Sequence, residues 1–337
     1  MWAARQGPPG PGWPPRSKRW ATDPELTSQR SATMQIGMIG LGRMGGNMVT
    51  RLLRHGHQVV AFDHSQEAVQ KAVEGGAEGA GSLEELADKL RETPRIFWVM
   101  VPAGDPTSQT IKKLSELGHQ GDVVIDGGNT NWKLAMQDAE VLKERGLRYL
   151  DAGTSGGIWG LQNGYSLMIG GRDDAYQHCE PIFQALAPEG GGLVHTGPEG
   201  SGHFVKMVHN GIEYALMQAY AEGFHIMQAA EHFPGMDMGA IAEAWREGSV
   251  VRSWLLDLIA DGLAKDPGLE GIKGYVEDTG EGRWTVLAAV EQAVPSPTIT
   301  MALYERFRSR LEDTFSDRML AMMRNQFGGH AVKSTRP

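Results

Sequence analysis

In the first part of the chain, apolar and polar positions show two different periodicities, one typical of strands and one typical of helices. Short runs rich in Val, Ile and Phe are typical of buried strands, and longer stretches with helical spacing separate them. Strands that alternate with helices form a parallel sheet with right-handed crossovers, so we predict an α/β fold, a Rossmann-type doubly wound parallel sheet. The predicted strands are 36–39, 58–62, 96–101, 123–125 and 148–150, and 165–169 and 193–196 extend the sheet at one edge, around a helix at 175–186.

The second part of the chain favours helices over strands. After Gly202 the apolar positions recur at helical spacing through long stretches. We therefore predict an α/β domain at 34–198, an all-helical domain at 199–325 and an irregular tail at 326–337. The predicted helices cover 203–232, 238–245, 249–263, 285–294 and 297–323.

The segment before Met34 has a different composition. Prolines crowd it, apolar periodicity is absent, and it lacks the apolar stretch of a signal peptide. We predict that residues 1–33 form a disordered extension. A start codon placed too early, with Met34 as the first residue, is the alternative.

Charge and cysteine content narrow the function classes. Acidic residues outnumber basic ones by 41 to 32, the opposite of the balance that a duplex-binding protein needs. No apolar run approaches the roughly 18 residues of a membrane span. Cys179 is the single cysteine, so a disulfide framework and a cysteine metal cluster are excluded, which suits a cytoplasmic protein. We expect neither a nucleic acid nor a membrane as partner.

A glycine-rich turn follows the first predicted strand. Gly40, Gly42 and Gly45 have the spacing of a dinucleotide-binding turn and precede a helix that runs towards His55. The first glycine permits the tight turn, the second lets a pyrophosphate approach the backbone, and the third lets helix and strand pack closely. The turn therefore predicts a nicotinamide dinucleotide site, where the helix N-terminus favours the phosphates. Its candidate residues are Gly40, Leu41, Gly42, Arg43, Met44, Gly45, Asp63, Val101, Pro102, Ala103 and Asn129.

Asp63 ends the second predicted strand, near the expected distance of roughly 20 residues from the turn. A carboxylate there accepts hydrogen bonds from the ribose hydroxyls and repels a 2′-phosphate. NAD is therefore expected over NADP, and a cationic His64 would soften that discrimination. The alternative is that Asp63 only ends its strand in an Asx turn.

Four polar side chains share one face of the first helix after Gly202. Lys206, His209, Asn210 and Glu213 stand at i, i+3, i+4 and i+7. Oxidation of an alcohol needs a base for the hydroxyl proton; a lysine removed from water can serve, and a nearby carboxylic acid can return a proton later. We therefore interpret Lys206 as a general base and Glu213 as a general acid.

A solvated surface helix would show the same spacing, with i,i+4 pairs that contribute only a few tenths of a kcal/mol. Gly202 and Gly211 count against that alternative. Glycine costs about 1 kcal/mol in a helix interior, and a purely structural helix gains nothing evident from it.

Three further segments resemble the decarboxylating 6-phosphogluconate dehydrogenases, in particular their shorter form. The resemblance covers nearly all of 34–333. The glycine turn and the lysine are shared with the wider β-hydroxyacid dehydrogenase superfamily, so they are less specific. The specific segments are Asp126-Gly127-Gly128-Asn129 before Ser155-Gly156-Gly157, the helix from Lys206 to Tyr214, and the tail from Arg324 to His330.

The resemblance implies oxidative decarboxylation of 6-phospho-D-gluconate to D-ribulose 5-phosphate and CO2, a step of the pentose phosphate pathway, with NAD or NADP and without a metal. It implies Lys206 as base and Glu213 as acid. It also implies a homodimer or homotetramer whose tail reaches a neighbouring subunit's site; a frayed terminus is the alternative. The residues it places around the substrate are Asn129, Ser155, Gly156, Gly157, His209, Asn210, Tyr214, Arg306, Arg324 and His330.

One segment departs from the family's long form. Where that form has a lysine and a threonine that contact phosphate, this chain has Thr279 and Glu281. Glu281 would repel a dianion if it pointed inward, and Lys273 or Arg283 would then have to compensate. An unphosphorylated or shorter acid substrate therefore stays open.

Two other functions also stay open. A non-decarboxylating 3-hydroxyisobutyrate-type dehydrogenase shares the fold and the lysine, but His209 and the tail residues Arg324 and His330 weigh against it. A non-catalytic NAD-binding protein would keep the glycine turn but would have no use for Lys206 and Glu213 on one helical face.

Overall fold

The computed structural model describes residues 33–333. It divides into two compact units, with the division between Lys206 and Met207. The predicted disordered extension, except for its last residue, and the end of the predicted tail lie outside the described residues. The predicted domain boundaries at 198 and 325 stay predictions.

The first unit contains an eight-stranded sheet in the order β3-β2-β1-β4-β5-β6-β7-β8. All neighbouring strands are parallel except β6 and β7. The connection between β6 and β7, residues 156–165, is shorter than the dozen or so residues of a parallel crossover, which explains their antiparallel pairing. The strands are β1 (Gln35–Ile39), β2 (Gln58–Phe62), β3 (Glu78–Gly79), β4 (Ile96–Val99), β5 (Val123–Asp126), β6 (Arg148–Ser155), β7 (Ser166–Gly171) and β8 (Leu193–Gly197).

Helices cover both faces of this sheet. Along β1, Ile36 and Met38 belong to one hydrophobic core and Ile39 to a second, because successive side chains of a strand point to opposite faces. Met48 and Phe183 fill the first core. The helices are α1 (Arg43–Arg54), α2 (Gln66–Glu74), α3 (Leu83–Lys89), α4 (Asp105–Leu117), α5 (Trp132–Glu144), α6 (Gly160–Asn163) and α7 (Asp173–Leu186).

The predicted doubly wound sheet is confirmed, including its extension at one edge by β7 and β8. Its strand β3 was not predicted, because two residues cannot show a periodic pattern. Strand β6 continues to Ser155, well beyond the predicted end at 150.

The second unit is helical in the part of the chain that the structure describes. The long helix α8 (Ser201–Gln228) begins in the first unit and continues into the second. Tyr220 and Phe224 of α8 pack against Leu256 and Ala260. The remaining helices are α9 (Met238–Arg246), α10 (Trp254–Lys265), α11 (Glu281–Glu291), α12 (Pro297–Arg308) and α13 (Phe315–Gly328).

Several predicted helix boundaries are wrong. The helix predicted at 203–232 ends at Gln228, and the helix predicted at 285–294 begins at Glu281. The helix predicted at 249–263 begins only after Ser253, whose hydroxyl accepts the Leu256 amide as an N-cap. The helix predicted at 297–323 is two helices, because Thr314 and Asp317 form a capping box that starts α13. That second helix then continues to Gly328, into the predicted irregular tail.

Candidate functional site

Each of the three glycines in the turn after β1 has a different structural role. Gly40 has a φ of +95°, and a Cβ there would lie 2.5 Å from the Met100 carbonyl oxygen. A Cβ on Gly45 would lie 2.0 Å from the Gly40 carbonyl oxygen, so only glycine lets α1 pack this closely. A Cβ on Gly42 would meet nothing within 4 Å. Gly42 therefore leaves the backbone open on the side where a pyrophosphate would approach.

A cavity of about 850 Å³ lies at the carboxyl ends of the parallel strands, where ligands bind in such sheets. Gly42 is the N-cap of α1 and no side chain caps this helix, so its first amides remain available to an anion. The predicted cofactor residues that line the cavity are Gly40, Gly42, Arg43, Met44, Gly45, Asp63, Val101, Pro102, Ala103 and Asn129. Leu41 does not line it, because its side chain packs in the core.

Asp63 lines the cavity and also holds the turn together. Its Oδ2 accepts the Leu41 amide at 2.6 Å, and its Oδ1 accepts the Ser65 amide at 2.8 Å. The second bond is the Asx turn that the sequence left as an alternative. The two interpretations are compatible, since each carboxylate oxygen has a second lone pair for a ribose hydroxyl.

Sequence reasoning missed one side of the cavity, which the helices α3 and α4 supply. Leu83, Gln109, Thr110 and Lys113 line it. Lys113 forms an ion pair with Glu84 at 2.8 Å; the hydrogen bond between them raises the pKa of Lys113 and lowers that of Glu84. No strand end or glycine marks these positions, so the sequence contained no local signal for them.

Four residues that the resemblance places around the substrate lie at the same edge of the sheet as Lys206. They are Asn129, Ser155, Gly156 and Gly157. Asn129 follows β5 and Ser155 ends the neighbouring β6, and Thr154 also lines the cavity. Gly156 and Gly157 then turn the chain with φ values of +131° and +51°. A Cβ on Gly153 of β6 would lie 2.6 Å from the Lys206 Cβ, so Lys206 sits directly against β6 near the cavity.

The other three residues of the polar face form a cluster in the second unit. His209 Nδ1 lies 3.1 Å from Asn210 Oδ1 and 3.9 Å from Glu213 Oε2. Asn210 is buried, whereas His209 and Glu213 are partly exposed. Because α8 is continuous, these side chains and Lys206 follow the predicted helical spacing.

Tyr214 and Arg306 are also brought together in the second unit. The Arg306 guanidinium carbon lies 3.6 Å from the centre of the Tyr214 ring, a cation–π contact. Arg306 donates to the Glu277 carbonyl at 2.8 Å, and the Tyr214 hydroxyl accepts the Thr279 amide at 3.4 Å. The predicted phosphate contacts Tyr214 and Arg306 therefore adjoin the segment that departs from the long form.

Glu281 is buried and accepts a hydrogen bond from the Thr279 hydroxyl. Arg283 does not compensate for its charge, because it pairs with Asp278 at 2.8 Å. Lys273 is exposed, and no contact joins it to Glu281. The compensation at the substrate phosphate that was expected from Lys273 or Arg283 stays a prediction.

Arg324 and His330 do not join this cluster in the single chain. Arg324 lies on α13, both side chains are exposed, and the His330 ring packs back against Gly328. None of the described residues of α13 is buried.

The two helix glycines have packing reasons that the sequence did not reveal. A Cβ on Gly202 would lie 2.5 Å from the Asp151 carbonyl oxygen, and one on Gly211 would lie 2.6 Å from Thr285 Cγ2. Both glycines allow close approach of a neighbouring element, so a structural helix does gain from them, contrary to the prediction from the sequence.

Comparison with known proteins gives one consistent result. Residues 35–197 match the family described as the NAD binding domain of 6-phosphogluconate dehydrogenase, and residues 202–335 match the 6-phosphogluconate dehydrogenase C-terminal domain. The chain is 47% identical, over 89% of its length and 98% of the relative's, to an NAD(+)-dependent decarboxylating 6-phosphogluconate dehydrogenase of Haloferax volcanii. It is 35% identical to a Bacillus subtilis enzyme of the same description, over 82% of this chain and 62% of that one.

Solved structures agree at the level of the fold. A Plasmodium falciparum 6-phosphogluconate dehydrogenase superposes with a TM-score of 0.77 at 29% identity, covering 90% of this chain and 67% of that one. A 3-hydroxyisobutyrate dehydrogenase of Mycobacterium tuberculosis, 20% identical with a TM-score of 0.66 over 80% of this chain and 91% of that one, shares the fold. Within residues 33–333, no helix is both long and apolar enough to cross a membrane.

Proposed function

Because the chain belongs to the 6-phosphogluconate dehydrogenase family, we propose that it converts 6-phosphogluconate to ribulose 5-phosphate and CO2 with reduction of NAD. The observation that carries this proposal is the coincidence, within the first unit, of the open glycine turn with Lys206 beside β6. A cofactor cavity and a base at one edge of a sheet are what alcohol oxidation requires.

NAD, held by the residues that line the cavity, would supply the acceptor for the hydride that leaves C3 of the substrate. Lys206 takes the proton of the C3 hydroxyl, and the resulting ammonium then donates a hydrogen bond to the 3-keto oxygen. That hydrogen bond stabilises the negative charge that develops when the bond to the carboxyl carbon breaks and CO2 leaves. Glu213 gives a proton to C1 of the enediol, which yields the ketose.

Asp63 supports NAD as the preferred cofactor. Its carboxylate is fixed at the cavity by the Leu41 and Ser65 amides, so its negative charge stays where a 2′-phosphate would lie. NADP remains usable at lower efficiency. The expected cytoplasmic location stays a prediction.

The substrate phosphate is assigned to Tyr214, Arg306 and, from a second copy, Arg324, and His330 of the same tail is assigned to the substrate site. Self-association as a homodimer or homotetramer is supported by α13, whose apolar side chains are exposed in the single chain. Phe327 is 96% exposed, which is unusual for a large apolar residue unless a partner covers it.

The deciding assay mixes the purified protein with 6-phosphogluconate and NAD or NADP, and follows nicotinamide reduction and CO2 release together. We expect one CO2 per reduced nicotinamide and faster turnover with NAD. Reduction without CO2 would show a 3-hydroxyisobutyrate-type activity, and absence of reduction with this acid would refute the proposal.

Lys206→Ala should lower kcat by at least about 100-fold, the usual contribution of a general base. Lys71→Ala is the matched control, since Lys71 is an exposed lysine of α2 outside the cavity lining. Equal activity of the two variants would contradict the role of Lys206.

A further inference from the structure

A buried polar network borders the cofactor cavity in the first unit. Asp126 ends β5 and is fully buried. Its Oδ1 accepts the Gly128 amide at 3.0 Å, and its Oδ2 accepts the Tyr149 hydroxyl at 3.2 Å. Because Gly128 and Asn129 line the cavity, the Asp126 carboxylate fixes the loop that carries Asn129.

Asp151 is the partner of Asp126 on the neighbouring strand β6. It is also fully buried, and its two oxygens accept the Gly200 and His203 amides, each at 2.7 Å. These amides belong to the start of α8, so Asp151 caps this helix from within the sheet.

The His203 side chain is 2% exposed and contacts the Asp126 carboxylate, while its backbone amide is bound by Asp151. Its Nε2 is 3.3 Å from Asp126 Oδ2, so the two side chains form an ion pair when the imidazole is protonated. Burial opposes a charged imidazole, but the Asp126 and Asp151 carboxylates together outweigh burial and raise the pKa of His203. Burial likewise opposes the charge of Asp126, but His203, with the Thr130 side chain and the Gly128 amide, outweighs burial and lowers the pKa of Asp126.

His203 lies in the first turn of α8, and Lys206 is three residues further along the same helix. A displacement of this turn therefore also displaces Lys206. A Cβ on Gly153 would lie 2.6 Å from both the Gly202 carbonyl oxygen and the Lys206 Cβ. A Cβ on Gly202 would lie 2.4 Å from the Met168 carbonyl oxygen. Helix and strand therefore meet backbone to backbone, with no flexible side chain between them to absorb a displacement.

We propose that His203 is a positioning residue. Through Asp126 its side chain ties the Asn129 loop to the first turn of α8, and so it sets where Lys206 stands at the cofactor cavity. The proposal rests on the proposed function for its kinetic test, but its structural test does not need that function.

The kinetic test uses His203→Gln, which keeps a hydrogen-bonding side chain but cannot carry the charge. We expect kcat to fall by about 10- to 100-fold, because misplacement of a catalytic group by about 1 Å costs on that order. We expect the KM for 6-phosphogluconate and the Kd of NADH to stay within about twofold of the wild-type values. The variant keeps the contacts that bind substrate and cofactor before the reaction starts. With substrate deuterated at C3, the isotope effect on kcat should rise, because hydride transfer becomes the slow step.

A merely structural role predicts a different result. If His203→Gln only reduced the folded fraction, kcat would fall in proportion to that fraction and the isotope effect would not change. His57→Gln is the matched control, because His57 is equally buried in the same unit but precedes β2, at the edge of the sheet opposite the cavity. It should lower the Tm without changing the isotope effect.

A double variant tests the pairing itself. If Asp126 and His203 act together, Asp126→Asn with His203→Gln should be no slower than the slower single variant, whereas multiplied losses would overturn the pairing.

Crystal structures of the wild type and His203→Gln with NADH give the test that needs no turnover. We expect the Lys206 Nζ to move relative to Asn129 by more than about 0.5 Å, the tolerance of a catalytic constellation. An unmoved Lys206 overturns the positioning proposal. A wild type inactive on 6-phosphogluconate, with Lys206 displaced in the variant, refutes the proposed function alone.

Discussion

At the scale of single residues, Asp63 combines two roles that are often treated as exclusive. Its carboxylate shapes the glycine turn through the Leu41 amide and closes its own turn through Ser65. Both bonds orient the negative charge before any cofactor arrives. The negative charge on which the proposed discrimination against a 2′-phosphate depends is therefore held in place by the backbone.

Asp63→Asn should reduce the preference for NAD. The amide oxygen can still accept a backbone hydrogen bond, but the charge that repels a 2′-phosphate is gone. We expect the ratio of kcat/KM for NAD to that for NADP to fall at least about tenfold, which corresponds to about 1.4 kcal/mol. Glu67→Gln, at an exposed acidic residue of α2, is the control and should leave the ratio unchanged.

Gly202→Ala tests the close packing of α8. The new Cβ would lie within 2.5 Å of two carbonyl oxygens, so the helix must move, and we expect a lower Tm and a lower kcat. Gly223→Ala, in the same helix but with nothing within 4 Å of its Cβ, should keep its activity and its Tm or raise the Tm, since alanine favours helix. Equal behaviour of the two variants would contradict the packing argument.

The glycine turn was predictable because its spacing reflects local geometry. The packing reasons for Gly202 and Gly211 were not, because they depend on strands and helices distant in sequence. The same holds for His203. It stood in a segment that the sequence singled out, but its partner Asp126 comes from another strand.

At the scale of secondary-structure elements, hydrogen bonds tie residues 275–280 to α11 and to the end of α12. We call the bonds of Asp278 and Val276 with Arg283, Ser309 and Arg310 the clamp. Asp278 accepts hydrogen bonds from Arg283 at 2.8 Å and from Arg310 at 2.6 Å. Arg310 also donates to the Val276 carbonyl, and the Val276 amide donates to Ser309. This segment holds Thr279 next to Tyr214, so the clamp orders the predicted phosphate contacts.

The clamp predicts a pH dependence of stability. The hydrogen bond from Arg283, and then that from Arg310, hold the pKa of Asp278 far below its usual value. Folding thus favours the ionised carboxylate, and its stabilisation is complete above a pH of about 4 and is lost as the pH falls further. Asp278→Asn should therefore lower the Tm by a constant amount between pH 7 and about pH 5, and by less below about pH 4.

Asp261→Asn serves as the control for this experiment, because Asp261 is largely exposed and lies 3.3 Å from Arg246. Its effect on the Tm should be small at every pH. A difference for Asp278→Asn that grew towards acid would refute the stated sign.

The sequence predicted the strands well, because they are buried runs of apolar residues with turn signals at their ends. It joined α12 and α13 because both are amphipathic, although the capping box at Thr314 and Asp317 was readable in the sequence. The two-residue strand β3 depends on pairing with β2 and leaves no pattern of its own.

At the scale of the whole molecule, the described structure of the single chain leaves the assigned phosphate residues separated. Tyr214 and Arg306 are in contact, whereas Arg324 and His330 are exposed on or after α13. The exposed apolar side chains of this helix are Phe315, Met319, Leu320, Met322, Met323 and Phe327. A helix with this composition gains most of its stability from packing against a partner.

Self-association is measurable by sedimentation. Leu320→Asp should lower the mean mass of the particle, because it places a charge on a surface that we expect to be covered. Gln326→Asp adds the same charge at an exposed polar position of α13 and is the control. An unchanged mass in both variants would count against association through α13.

Mixing two inactive variants tests the shared site. Lys206→Ala and Arg324→Ala should each lose activity, and subunit exchange should restore part of it, because some sites then combine an intact Lys206 with an intact Arg324. Failure to recover any activity after proven exchange would contradict the shared site.

Two helices that begin in the first unit, α1 and α8, have different electrostatic surroundings at their N-termini. At α1 no side chain meets the first amides, while at α8 the Asp151 carboxylate already does. The positive N-terminus of α1 is thus free of a capping side chain, whereas the positive N-terminus of α8 is neutralised by the Asp151 carboxylate. The start of α1 therefore remains open to the pyrophosphate of the proposed dinucleotide, whereas the start of α8 is already occupied by the Asp151 carboxylate and does not attract a second anion.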